Sequence, residues 1–144
     1  MIRLATLADL DSLVILERDS FPDRSFSRRR MKHLMLRAKS VTLVHEEKGI
    51  HGYALLLFRN DTDAARLYSI CVDGSQRNKG VGKGLIDAAE WTAKKMGRKR
   101  MTLEVKEDRE VTLLFYGKLG YVPVGRLMDY YGKGVHGLRM MKHI

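Results

Sequence analysis

The residues with the clearest chemical content lie between positions 70 and 85. Ile70-Cys71-Val72 closes a strand-like run, and Asp73-Gly74-Ser75-Gln76-Arg77-Asn78-Lys79-Gly80-Val81-Gly82-Lys83-Gly84-Leu85 follows it. The core of this segment is Arg77-x-x-Gly80-x-Gly82. Glycines let the backbone approach a ligand and bare its N–H groups. A helix starting at the same place adds N–H groups that lack intrahelical partners, and the positive end of its dipole. Strand, Gly-rich turn and helix N-terminus together form a cradle for phosphate. Arg77, Lys79 and Lys83 add positive charge. Two nucleotide motifs are excluded. Gly84 is followed by Leu85 and not by Lys-Ser/Thr, so there is no P-loop. In Gly80-Val81-Gly82-Lys83-Gly84-Leu85 the third glycine arrives one residue early for Gly-x-Gly-x-x-Gly.

Two further side chains can move protons. Glu104 sits mid-strand in Met101-Thr102-Leu103-Glu104-Val105 and faces opposite to Leu103 and Val105. That face is either solvated or the wall of a site. Tyr116 lies in Leu113-Leu114-Phe115-Tyr116-Gly117-Lys118-Leu119-Gly120-Tyr121, as one more aromatic of a helix face or as a phenol at a site. A carboxylate and a phenol can respectively accept and donate a proton. The single Cys71 excludes an intramolecular disulfide and a Cys-rich zinc site. Its strand position suits a small apolar filler, and no His stands near it in sequence to make it a nucleophile. His33, His45, His51, His136 and His143 show no metal-ligand spacing, so no metal site is expected.

The elements that must position these groups are legible from periodicity. Ile2 to Ala5 reads as a strand. Thr6, with Asp9 three residues on, reads as a helix start. Leu7, Leu10, Leu13, Val14 and Glu17 carry a helix to about Arg18. Phe21-Pro22-Asp23 breaks the chain. Ser25 or Ser27 caps a second helix with Met31, Leu34 and Met35 on one face. Arg28, Arg29 and Arg30 begin that helix against its dipole. Val41 to Glu46 and Gly52 to Phe58 form a hairpin around Lys48-Gly49. Ala65 to Val72 is a long strand, with Leu67, Ser69 and Cys71 on one face and Tyr68, Ile70 and Val72 on the other. Val81, Leu85, Ala88, Ala89, Thr92 and Met96 share one helix face, ended by Gly97. Met101 to Val105 is a strand and Glu110 to Leu119 a short helix. Tyr121 to Gly125 and Gly137 to Met141 close the order β-α-α-β-β-β-α-β-α-β-β. This is an α/β (α+β) fold with helices flanking one mixed central sheet, in a single domain over 1–144.

Composition narrows the class. The chain has 144 residues, 44% hydrophobic, with 27 Lys and Arg against 17 Asp and Glu, a net charge of +10. It can bury a core without metal or disulfides. No run approaches a membrane span, no signal-peptide pattern opens the chain, and one cysteine suits a reducing, cytoplasmic compartment. The charge predicts attraction to polyanions: nucleic acid, ribosome, an acidic protein or a phosphorylated cofactor.

Ile70-Cys71-Val72 followed by Arg77-x-x-Gly80-x-Gly82 resembles the acetyl-CoA signature of the GNAT acetyltransferase superfamily, and the element order matches that fold over nearly the whole chain. Leu67-Tyr68-Ser69-Ile70-Cys71-Val72, Leu103-Glu104-Val105, Leu114 to Tyr121 and Asp129-Tyr130-Tyr131 look closest to the ribosomal-protein N-terminal alanine acetyltransferases and their archaeal N-terminal acetyltransferase relatives. The resemblance implies that the backbone of Ile70, Cys71 and Val72 pairs with the pantetheine arm of acetyl-CoA. A splayed strand end there leaves room for the acetyl group. The N–H groups of Asn78, Lys79, Gly80, Val81, Gly82 and Lys83 hold its pyrophosphate. It makes Glu104 the base, acting through a water, and Tyr116 the acid beside the CoA sulfur. Tyr131 becomes an acceptor-site residue. The implied reaction is direct acetyl transfer to a primary amine in a ternary complex, with a protein N-terminal α-amine or lysine preferred. A small-molecule amine, aminoacyl-tRNA, or a non-catalytic acyl-CoA or nucleic-acid binder are the alternatives, in a monomer or homodimer. The chain departs from the family at Gly74, where Pro is usual, and at Arg109, where an Asn helps hold the pantetheine arm. The Tyr130-Tyr131 turn carries Lys133 and His136 where acidic residues are common. Arg28 to Arg30, Lys133, Arg139 and Lys142 are left without a local task and suggest an acidic acceptor.

Overall fold

The two apolar periods resolve into strands and helices in the computed structural model, which describes residues 1–37 and 39–144. The order is β1 (Ile2–Leu4), α1 (Leu10–Ser20), α2 (Arg28–Leu36), β2 (Ser40–Glu46), β3 (Ile50–Phe58), β4 (Ala64–Val72), α3 (Val81–Lys95), β5 (Arg100–Lys106), α4 (Glu110–Lys118), β6 (Val122–Leu127) and β7 (Gly137–His143). A 3₁₀ turn, Leu7–Asp9, precedes α1, so the helix proper starts three residues after Leu7. Asp9 accepts the Thr6 backbone N–H at 2.8 Å, as the spacing suggests, and its carboxylate also takes both arms of the Arg3 guanidinium. Ser27, not Ser25, caps α2 by accepting the Arg30 N–H at 3.2 Å.

Among the described residues seven strands form one mixed sheet in the order β1-β2-β3-β4-β5-β7-β6, with β4 and β5 parallel and the other neighbours antiparallel. Apolar side chains fill both faces. Leu85, Ile86, Ala89 and Ala93 of α3 pack with Leu56, Ala65, Met101 and Leu103 on one face. Leu10, Leu13 and Leu16 of α1 and Met31 and Leu34 of α2 pack with Val44, Tyr53 and Leu55 on the other. Each such large side chain removed from water stabilises the fold by about 1.5–3 kcal/mol.

Two irregularities in β4 shape everything that follows. First, Leu55 pairs with Ser69 but Leu56 pairs with Leu67, which leaves Tyr68 as the extra residue of a β-bulge. The bulge corrects the simple alternation. Leu67 joins Ile70 and Val72 on the α3 side, while Tyr68 and Cys71 pack on the α1 side. Second, the parallel pairing of β4 with β5 covers only Ala64–Arg66 against Arg100–Thr102. Beyond Arg66 the two strands part, whereas β5 stays paired to β7 along its whole length.

Candidate active site

The gap between the parted strands opens into a cleft of about 700 Å³. One wall is Leu67–Val72 of β4, the other Glu104–Lys106 of β5, with α4 and the Tyr130–Tyr131 turn closing it. Past Arg66, the β4 edge that faces β5 has no strand partner among the described residues. Its backbone donors and acceptors over Ile70, Cys71 and Val72 are therefore free to pair with an extended ligand. Gly52 makes this edge possible from behind. A Cβ there would lie 3.1 Å from the Cys71 carbonyl oxygen and 3.0 Å from Leu85 Cδ1.

At the end of this edge the Gly-rich loop turns into α3. Gly80 takes the left-handed conformation, φ +81°, as the residue before the helix. The first intrahelical bond runs from the Gly84 N–H to the Gly80 carbonyl at 2.9 Å. The N–H groups of Val81, Gly82 and Lys83 thus have no partner in the helix. Asn78 is also left-handed, φ +63°. Gln76, Arg77, Asn78, Gly80, Val81, Gly82 and Lys83 line the cleft, and Lys79 does not. Lys83 is paired with Asp87 at 2.9 Å, so its charge is partly committed to its own helix. Arg109 lines the cleft too, so a cation stands at the position where the family Asn is expected.

Glu104 and Tyr116 line the same cleft. The Glu104 side chain keeps 5% of its surface. Its Oε1 lies 2.5 Å from Arg66 Nη2 and 3.9 Å from Arg139 Nη2, and it accepts the Tyr130 hydroxyl at 3.3 Å. Its Oε2 is buried with no partner among the described residues, as is Arg66 Nε. Tyr130 in turn accepts from Arg66 Nη2 at 2.8 Å. Tyr116 is buried between Phe115 and Tyr121, edge-on to both rings at 5.2 and 5.7 Å. Burial pushes its phenol well above the ordinary range, with smaller contributions from Cys71 and Tyr131. Its hydroxyl has no hydrogen-bond partner among the described residues. Tyr116 is thus a protonated donor at neutral pH. Burial also pushes the Cys71 thiol up to about 12, with the Glu17 charge adding to it. A thiol held neutral in this way does not act as a nucleophile.

Tyr131 is half-buried beside the same cleft, with the Arg24 guanidinium 4.5 Å from its ring centre and Lys106 6.0 Å away. His136 fixes this turn: its Nδ1 accepts the Asp129 backbone N–H at 3.0 Å. Several of the cations without a local task prove to be engaged. Arg28 pairs with Asp11, Lys142 with Glu90, and Arg139 approaches Glu104. Arg66, Tyr130 and Glu17 line the cleft but were not singled out from sequence as site residues. The signal for Glu17 was its place among the apolar positions of α1, where a carboxylate is out of character.

A family model, the acetyltransferase (GNAT) family, matches residues 8–121. The chain belongs to that family. Acetyltransferases of this family use acetyl-CoA. The chain is 28% identical over 139 residues to the mycothiol acetyltransferase of Jonesia denitrificans, covering 89% of this chain and 44% of that protein. It therefore spans less than half the length of that relative. Among solved structures, Ard1 from Thermoplasma volcanium superposes with a TM-score of 0.90 at 22% identity, over 100% of this chain and 97% of that one. The ribosomal-protein-alanine N-acetyltransferase of Brucella melitensis gives 0.86 at 21%, over 100% and 99%. The GNAT fold implied by the motifs is the fold of this chain.

Proposed function

We propose that this chain, as one domain over residues 1–144, transfers the acetyl group of acetyl-CoA to a primary amine by direct attack in a ternary complex. One observation carries the reading. The unpartnered β4 edge, the free N–H groups of α3, Glu104 and Tyr116 all converge on a single cleft. The residues fit the donor: an open edge for an amide-bearing arm, and a helix N-terminus with Arg77 for phosphates. Bound acetyl-CoA supplies the acyl group. The backbone of Ile70, Cys71 and Val72 orients the arm. Asn78 and Gly80 to Lys83 hold the pyrophosphate from their N–H groups.

Glu104 Oε2 accepts the proton that the amine must lose, through a water, while Arg66 and Tyr130 fix Oε1. Tyr116 gives a proton to the departing thiolate. Tyr131, with Arg24 and Lys106 against its ring, borders the acceptor. A protein N-terminal α-amine or lysine is the preferred acceptor, in keeping with the likeness to the ribosomal-protein-alanine N-acetyltransferase. An acidic residue next to it would suit Arg24 and Lys106. The likeness to a mycothiol acetyltransferase favours a small-molecule amine as the second reading. Acetyl-CoA turnover against N-terminal peptides, lysine peptides, polyamines and aminoacyl-tRNA tests the proposal. Turnover on peptides supports it. Steeply salt-dependent RNA binding without any turnover would replace it with a binding module.

A further inference from the structure

Acetyl transfer by Glu104 and Tyr116 leaves unused a buried carboxylate that lines the cleft. Glu17 of α1 is 2% exposed, yet it forms part of the cleft wall. Its Oε1 accepts from the Tyr53 hydroxyl at 2.7 Å, from Ser69 Oγ at 3.1 Å and from Cys71 Sγ at 3.8 Å. Oε2 accepts none of these bonds. Among the described residues no cation lies within ion-pair distance of Glu17. Arg24, on the same wall, is turned to the rings of Phe21 and Tyr131. A buried charge is tolerated when it is paired and hydrogen-bonded. Here three donors gather on one oxygen, and the carboxylate has no counter-ion among the described residues. Two of those donors, Ser69 and Cys71, belong to the segment of β4 that the bulge turns toward α1. The bulge thus presents Ser69 and Cys71 to Glu17 on the same strand whose edge over Ile70, Cys71 and Val72 faces the cleft. Phe21, Phe26 and Tyr68 line the same cleft.

We infer that Glu17 is the anionic end of the acceptor subsite and binds the ammonium group of the incoming amine. This rests on the acetyl-transfer reading for its meaning, but not for its test. The ligand class is a cationic primary amine, whose charge supplies the counter-ion that the fold omits.

The experiment is calorimetric titration of the CoA-saturated full chain at neutral pH. The probes are two amines, alaninamide and n-butylamine, and the neutral N-acetylalaninamide. The wild type should prefer at least one amine over the neutral probe by about 10- to 100-fold, as hydrogen bonds to charged groups allow. Glu17→Gln should lose that preference and keep its affinity for CoA. No preference in the wild type, or the same preference in Glu17→Gln, overturns the inference. If Glu17→Gln fails to bind CoA, Glu17→Asp carries the test, since it keeps the charge but withdraws it by one methylene. A reduced preference supports the subsite and an unchanged one overturns it. Turnover with an unchanged amine KM in Glu17→Gln would remove Glu17 and leave acetyl transfer standing. An ammonium preference without turnover of any acceptor would do the reverse.

Discussion

Arg66 Nη2 stands 2.5 Å from Glu104 Oε1, across the point at which β4 and β5 part. The pair closes the root of the cleft and ties the two strands where their backbone ladder ends. Removing Arg66 leaves Glu104 buried, with Arg139 at 3.9 Å as the remaining cation. Arg66→Ala should cost roughly 2–3 kcal/mol of stability, less than a fully buried pair because the Arg66 side chain keeps 40% of its surface. Glu104→Gln should cost less, because it leaves no buried carboxylate behind. Denaturant unfolding of the two variants gives the order, and the reverse order contradicts this account of the pair.

Acid and base separate by kinetics. Tyr116→Phe should lower kcat at least ~10-fold with little change in the KM for acetyl-CoA. Glu104→Gln should lower kcat about 100-fold, within the usual range for a lost general base. Steady-state rates with acceptor held at saturation check both. Full activity in either variant removes that residue from the mechanism.

The phenols offer a pH test. Burial raises Tyr53, Tyr116 and Tyr121 above the ordinary value, and Tyr121 also donates to Glu90 at 2.8 Å. These three of the six tyrosines should stay protonated when the folded protein is brought to about pH 10, where free phenols ionise. Absorbance at the tyrosinate band should therefore rise further when the protein is unfolded at that pH. Ionisation of all six in the folded chain would contradict the burial of Tyr116 as a proton donor.

Gly82 offers a graded test of the phosphate cradle. A Cβ there would meet Phe115 Cζ at 3.5 Å and Val72 Cγ2 at 3.7 Å, both ordinary contacts. Gly82→Ala should therefore fold and keep measurable acetyl-CoA binding. Gly82→Glu should fold too, since an acidic residue suits a helix N-terminus. Its carboxylate would nevertheless occupy and repel the phosphate position, and binding should vanish. Calorimetry with acetyl-CoA decides, and unchanged affinity in Gly82→Glu would displace the assignment.

The Arg3 fork on Asp9 links the first strand to α1 and sets an acid-side dependence. The Arg3 hydrogen bonds hold the Asp9 carboxyl below the usual carboxylate range. A depressed folded value means stability that is present above the unfolded pKa and lost as pH falls through the folded one. Asp9→Asn should lower Tm at neutral pH, and the two melting curves should converge in acid. A difference that persists at low pH would assign Asp9 a purely geometric role.

Much of this arrangement can be read from residue order, because it depends on local periods. The strand-loop-helix run over 70–85 needs only glycine spacing and one helical face. Glu104 opposite Leu103 and Val105 needs only the pleat. What local periods cannot carry is register across the sheet. Tyr68 reads as one more alternating residue until its pairing with β3 is known, and the faces of Leu67 and Cys71 follow from it. Arg66 and Glu104 are 38 positions apart and meet only because the parallel ladder stops between them. Arg28 and Lys142 read as surplus charge until Asp11 and Glu90 stand against them.

The extra residue at Tyr68 works like a frameshift in the sheet. Upstream of it, β4 keeps the phase that locks Ala65 and Leu67 under α3. Downstream, the phase is inverted, and Ser69 and Cys71 are delivered to Glu17. Drawing Tyr68 into the regular ladder would make the strand uniform and turn the downstream half over. Every partner residue would still be encoded, and Ser69 and Cys71 would face away from Glu17.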